Sequence, residues 1–223
     1  MKKFLSSLFS AKQEKVSIRA EPNEESIDLR KIRFTMPTVA AEELRFVVPT
    51  PETFEGAPQF HEDEWSQLEF FPEDRFAEIQ GMLTKYKAFE KKHRTPNGWT
   101  EIYARSIHRE PLIEGRDAIG ALEKLLGFTR LPSPILTTTS SALGQVEGGF
   151  SLRHPGPVLL YGLGGVQEIN SLAAIVERGG DDYELTKVFS LLNRAHQLIL
   201  VDWRAQMILV SAKSSGEIDV WRP

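Results

Sequence analysis

The C-terminal stretch from Gln197 to Pro223, QLILVDWRAQMILVSAKSSGEIDVWRP, constrains the fold more than any other part of the chain. Two apolar runs, Leu198 to Val201 and Met207 to Val210, flank a short polar bridge, and an alternating run with Ile218 and Val220 follows a Ser-Ser-Gly turn. This spacing predicts three adjacent strands joined by tight turns. Uninterrupted apolar runs belong to strands covered on both faces, whereas Glu217-Ile218-Asp219-Val220 has one wet face and suits an edge. The sheet is therefore expected to have its centre in this meander.

Upstream, strand and helix patterns intermingle. Residues 32–36 and 44–48 read as short strands closed by Pro37 and Pro49, and Trp65 to Phe71 as a further strand ending at Pro72. Phe76, Ile79, Leu83, Tyr86 and Phe89 recur at helical spacing, with Glu73 and Asp74 ahead of them and Lys91, Lys92, His93 and Arg94 behind, which suits the helix dipole. After the Pro96-Asn97-Gly98 turn, Trp99 to Ile107 reads as a strand with Trp99, Tyr103 and Ile107 on one face. A second helix is expected over Arg116 to Leu126, stopped by Gly127, and a bent strand over Gln145 to Arg153. Pro157 to Tyr161 reads as a strand that runs through Gly162-Leu163-Gly164-Gly165 into a helix carrying Ile169, Leu172, Ala173 and Val176. A last helix starts at a capping-box-like Asp181 with Glu184 and buries Leu185, Val188, Phe189 and Leu192. The pattern predicts an α+β fold, with a mainly antiparallel sheet, helices packed on one face and the C-terminal meander at the centre. Residues 31–223 are expected to form one domain, with a subdomain boundary near 127–135 as the alternative.

The amino terminus carries Phe4, Leu5, Leu8 and Phe9 on one helical face between lysines, followed by a polar tether over residues 12–30. Its apolar part is short and interrupted by serines, so an amphipathic helix that could rest weakly on an anionic membrane surface is expected rather than an export signal. The expected place is the cytoplasm, or the periphery of an inner membrane. The 223 residues contain no cysteine, which removes disulfides, thiolate metal sites and cysteine nucleophiles. A net charge of -4 gives no field for a polyanion, so no nucleic acid is expected as a partner.

Motifs for chemistry are weak. The Tyr161 to Gln167 segment resembles a phosphate-binding strand-to-helix turn, which would place Gly162, Gly164 and Gly165 against a phosphate or nucleotide. Gln167 stands where the dinucleotide pattern needs its third glycine, and the P-loop Lys-Ser/Thr pair is missing. A tight turn is the competing reading. His61-Glu62-Asp63-Glu64 offers four metal-ligand types in a row, but successive residues of an extended chain point to opposite sides. Neither a metal nor another cofactor is expected. Gly149-Phe150-Ser151-Leu152-Arg153 has Arg153 where a nucleophile elbow needs its second glycine, and no catalytic residue is assigned. Asp202-Trp203-Arg204 reads as an exposed hairpin bridge.

The less local feature is acidic. Residues 41–74 hold ten acids against one base, Arg45, interleaved with Phe54, Phe60, Trp65, Phe70 and Phe71. Aromatics in an acidic surface suit a basic protein partner, which charge steers and rings anchor. Glu62, Asp63, Glu64, Trp65 and Glu69 are the expected contact residues. The competing reading keeps the acids solvated and turns the rings into the core. The function expected is thus a non-catalytic, bacterial-style interaction protein, in concrete form an immunity-type inhibitor that neutralises a toxin or effector by direct binding. The alternative is a small-molecule phosphate or nucleotide site at Gly162 to Gly165, in an enzyme or a sensor.

Overall fold

The structure, a computed structural model, describes residues 34–177, 179–180 and 182–223. The expected helix over residues 1–12, the tether, Ile32 and Arg33 of the first expected strand, and Asp181 lie outside the described residues.

In chain order the first elements are β1 (Thr38–Ala40), β2 (Phe46–Val47), the single-turn helix α1 (Pro51–Phe54) and β3 (Gln59–His61). A 3-10 turn over Glu62–Glu64 leads to β4 (Leu68–Pro72), and another over Glu73–Arg75 to α2 (Phe76–His93). Short pieces follow: β5 (Arg94–Thr95), β6 (Gly98–Trp99), β7 (Tyr103–Arg105) and β8 (Ile113–Glu114). The helix α3 (Ala118–Leu126) precedes β9 (Thr129–Leu131), β10 (Ile135–Thr137), β11 (Ala142–Val146) and β12 (Gly149–Arg153). A long hairpin of β13 (Val158–Gly164) and β14 (Glu168–Val176) runs to α4 (Asp182–His196). The chain closes with β15 (Leu198–Asp202), β16 (Met207–Ala212) and β17 (Ile218–Trp221).

The fold is α+β with mostly antiparallel sheets. A nine-stranded sheet has the order β17-β16-β15-β4-β14-β13-β12-β9, with β8 also paired to β14. The C-terminal meander is formed as expected, with β17 at an edge, but its place differs from expectation. It makes one flank of this sheet, and the centre falls at β4 and β14. Leu198 to Val201 are buried because β4 extends the sheet beyond them and layers cover both faces, so an all-apolar strand marks coverage rather than centrality.

The helices also depart from expectation, since they occupy both faces. Alternation along β4 decides this. Leu68 and Phe70 point into a core shared with α3 and α4 through Leu122, Leu185, Phe189 and Leu192, while Phe71 points to the opposite face, against Ile79 and Leu83 of α2. Two adjacent fully buried phenylalanines require a layer on each side of the strand. On the α2 side a second sheet, ordered β2-β11-β10-β3, covers the other end, with Trp65, Leu136 and Val146 packed on Tyr161 and Ala173.

The three long helices follow local rules. α2 buries Ile79, Leu83 and Tyr86, with lysines in its last turn. α3 starts at Asp117, whose carboxylate accepts from the Gly120 amide at 3.1 Å, and ends at Gly127 in the left-handed region, φ 66°. α4 buries the four residues expected of it.

The helix expected over residues 169–176 is instead β14. Its Ile169 to Ala174 run sits mid-sheet, where covered strands lose their alternation and mimic a buried helix. The expected strand over Trp65–Phe71 begins only at Leu68, because Ser66 turns the chain at φ 54°. The stretch from Trp99 to Ile107 gives two short strands, β6 and β7, in place of one.

Candidate functional site

Glu69 lies on the α2 face of β4 and is 1% exposed. Register places it between Ala173 of β14 and Val201 of β15, so its carboxylate rises at the seam between the α2 core and the second-sheet core. A carboxylate there is tolerable only if paired and hydrogen-bonded. Two arginines from the β7 strand and the segment after it supply the charge. Arg109 bonds directly to Glu69 through Nη1, and it grips Glu42 through Nε at 3.1 Å and Nη2 at 3.2 Å. Arg105, 2% exposed, donates through Nη1 to Thr38 Oγ1 at 2.8 Å and through Nη2 to the Ser66 carbonyl at 2.9 Å. Its guanidinium lies 4.8 Å from the Trp203 ring centroid. Trp203 Nε1 donates to Glu69 Oε2 at 3.3 Å, and Trp65 Nε1 to Glu42 Oε2 at 2.9 Å.

Two positive and two negative groups make this quartet neutral within itself. Burial still dominates two of its members. It pushes the Glu69 carboxyl above the ordinary carboxylate value, against the pull of Arg109 and Arg105, and it draws Arg105 down to about 10. The Arg105 Nε finds no acceptor among the described residues. A cleft of about 210 Å³ opens over the quartet and is bordered by the exposed Glu43. Glu42 and Glu69, the other carboxylates at this cleft, already have donors, so the arrangement holds the Thr38 to Leu44 segment against the main sheet.

The residues expected to bind a partner separate into two groups. Glu62 is exposed, Asp63 is half-buried with its amide donating to His61 Nδ1 at 3.2 Å, and Glu64 pairs with Arg204 at 2.8 Å. Trp65 and Glu69 are interior, as are Phe70 and Phe71. A turn with Ser66 at φ 54° follows the 3-10 turn and separates the exposed or half-exposed Glu62, Asp63 and Glu64 from the interior Glu69, Phe70 and Phe71.

Other apolar groups stand among the acids instead. Phe46, Val47 and Val48 form and prolong the edge strand β2, and Val48 is 91% exposed. Phe54 of α1 is 51% exposed, and Leu143 of β11 is also at the surface. These elements adjoin: β2 pairs with β11, and the Gln145 side chain of β11 donates to the Thr53 carbonyl of α1 at 2.9 Å. The Glu147 amide donates to the Arg45 carbonyl, so by antiparallel alternation the peptide groups of Phe46 point away from β11 to the open edge. Glu43, Glu52, Glu55, Glu62 and Glu147 are exposed around this apolar edge. A cleft of about 510 Å³ lies beside it, lined by Glu42, Glu43, Arg45, Phe46 and Glu62, with the buried Trp65 and Leu136 behind them.

The glycine segment is not the strand-to-helix turn expected of it. Gly162 and Gly164 lie within β13, which runs on into the antiparallel β14 and not into a helix. A Cβ on Gly162 would stand 1.9 Å from the Ser171 carbonyl oxygen, so this glycine serves the close approach of two backbones. Gly165 sits at the hairpin end, its amide donating to the Glu168 carbonyl at 2.8 Å. Trp203, expected in an exposed bridge, is fully buried and edge-on to Phe71 with centroids 6.2 Å apart.

The arginine pair was not anticipated, although Arg105 shares the strand parity of Tyr103 and Ile107. A cation on an otherwise apolar strand face was the available signal. Among the described residues no cluster of three metal-ligating side chains forms, and no helix is long and apolar enough to cross a membrane. Comparison with protein-family models, with curated proteins and with solved structures yields no match.

Proposed function

We propose that this chain is a non-catalytic binding protein whose working surface is the acid-rimmed apolar edge built from β2, α1 and β11. The single observation that carries this reading is that Phe46, Val47, Val48, Phe54 and Leu143 are all exposed on adjoining elements, with Phe46 turned to the cleft and Val47 to the opposite face of β2. Grouped exposed apolar side chains mark an interaction surface far more often than scattered ones do. The acids around them set the partner's chemistry: a protein with a basic surface, attracted at long range by Glu43, Glu52, Glu55, Glu62 and Glu147 and anchored by the apolar groups. An inhibitor of immunity type, covering a basic toxin or effector surface, is its concrete form. In the cleft a lysine or arginine of the partner would meet Glu43 and Glu62, with Arg45 as the one cation already in the lining.

The anchoring residues thus shift from the buried Trp65 to the exposed Phe46 and Phe54, while Glu62, Asp63 and Glu64 stay on the rim. The test is affinity purification with wild type and with a Val48→Asp/Phe54→Ser variant, followed by binding of the recovered protein in purified form. The reading expects a basic partner retained by wild type, lost by the variant, and bound more weakly as salt rises. A partner held equally by both chains sinks it.

A further inference from the structure

A second concavity lies on the opposite face of the main sheet, where the N-terminal turn of α4 overhangs β15, β16 and β17. α4 is tied down at its other end: Asn193 donates to the Leu198 and Val210 carbonyls at 3.0 and 3.2 Å and accepts from the Ala212 amide at 3.0 Å. The first turn therefore stands over a part of the sheet that it does not fill. A cavity of about 320 Å³ results. That is at the small end of the roughly 300–1,000 Å³ range of small-molecule sites.

Its walls divide by chemistry. Leu68, Leu200 and Leu209, from three neighbouring strands, make an apolar floor. Asp202, half-buried, and Asp182, exposed on the first turn of α4, both line it. The Asp202 carboxylate is fixed by the Ala205 amide at 2.8 Å, so its direction is set before anything binds. Arg222 lines the same cavity, with its guanidinium against Met207 Sδ at 3.4 Å and no carboxylate paired to it among the described residues.

We infer that this cavity binds a free aliphatic α-amino acid, with the ammonium group on Asp202 and Asp182, the carboxylate on Arg222 and the side chain on the leucine floor. Each feature alone would admit many ligands. A lining that offers two acids, one arginine and an apolar floor suits a small zwitterion with an apolar body. A fatty acid would set an anion against the half-buried Asp202, and an alkylamine would make no use of the exposed Arg222, so neither uses every charged group of the lining. The site is independent of the β2 edge, which lies on the other side of the sheet.

The test is titration of the full chain with L-leucine and L-methionine by isothermal calorimetry, beside 3-methylbutylamine and 4-methylpentanoate. Each analogue lacks one charged group of leucine. The expected result is saturable binding of the amino acids, at least tenfold weaker binding of both analogues, and at least tenfold loss in Asp202→Asn and in Arg222→Gln. Arg222 is exposed and lies outside β17, and Asn retains the acceptor for the Ala205 amide, so the variants keep the fold, as circular dichroism checks. No binding at millimolar amino acid, equal binding of either analogue, or affinity unchanged in both variants overturns the inference.

Discussion

Replacing Arg109 with Met removes the strongest partner of a carboxylate that is 1% exposed. Glu69 would then keep only the Trp203 indole at 3.3 Å and the more distant charge of Arg105. Breaking a buried pair in this way costs about 3–5 kcal/mol, because the remaining ion is left without compensation. Glu42 adds little to that figure. It loses its bonds at 3.1 and 3.2 Å but keeps Trp65 at 2.9 Å and reaches water, so its share is about 0–1 kcal/mol. Urea denaturation followed by tryptophan fluorescence measures the loss, since Trp203 and Trp65 both report on the quartet. Two signatures separate a stranded charge from lost packing. Arg109 holds the Glu69 carboxyl down, so its removal lifts that pKa further and the folded variant takes up a proton more readily. The deficit must therefore be smaller at pH 5 than at pH 7.5. Adding Glu69→Gln to Arg109→Met removes the stranded charge and should recover a large part of the loss. A deficit below about 1 kcal/mol, the same deficit at both pH values, or strict additivity in the double variant would refute the quartet as described.

Other perturbations test other links. Gly162→Ala forces a Cβ to within 1.9 Å of the Ser171 backbone oxygen and should cost about 1–3 kcal/mol or more, whereas Gly165→Ala, with nothing within 4 Å, should be nearly neutral. Equal effects at the two sites, read from urea midpoints, would deny the β13–β14 register. Burial raises the Asp202 carboxyl above its ordinary value of 3.8, so the stability this group contributes is present below that value and is lost as pH rises through the folded pKa. Asp202→Asn should accordingly gain on wild type as pH rises from 3.5 to 7.5, and a gap that stays constant would contradict the buried charge. Leu192→Ala, at the fully buried centre of the α4 contact, should lose about 2–5 kcal/mol in the same assay.

Much of the fold was legible because it is local. The stripe Leu185, Val188, Phe189 and Leu192 and the stop at Gly127 follow from periodicity and backbone chemistry within one element. What was not legible depends on what covers a strand. Ile169 to Ala174 carries the same apolar density in a mid-sheet strand as in a buried helix, and only its pairing with β13 and β4 decides. Phe70 and Phe71 say that both faces are covered, yet not by which layers. The site divided in the same way. Its acids were visible in the composition of residues 41–74, while the orientation of the aromatics depends on tertiary packing: Phe60 packs on Tyr161 and Phe70 and Phe71 enter opposite cores, but Phe54 stays exposed. Phe46 and Val48 look like core in sequence and stand at the surface because β2 is the outermost strand of its sheet.

The central claim is that the β2 edge and its acids form the working surface. The most direct measurement is the affinity of the recovered partner for wild type and for Glu43→Lys/Glu52→Lys/Glu55→Lys, at low and physiological salt, with unfolding midpoints as the control. All three acids are exposed, so stability should not change appreciably. The account predicts affinity that falls steeply with salt in wild type and is largely abolished by charge reversal. An affinity indifferent to both would contradict it.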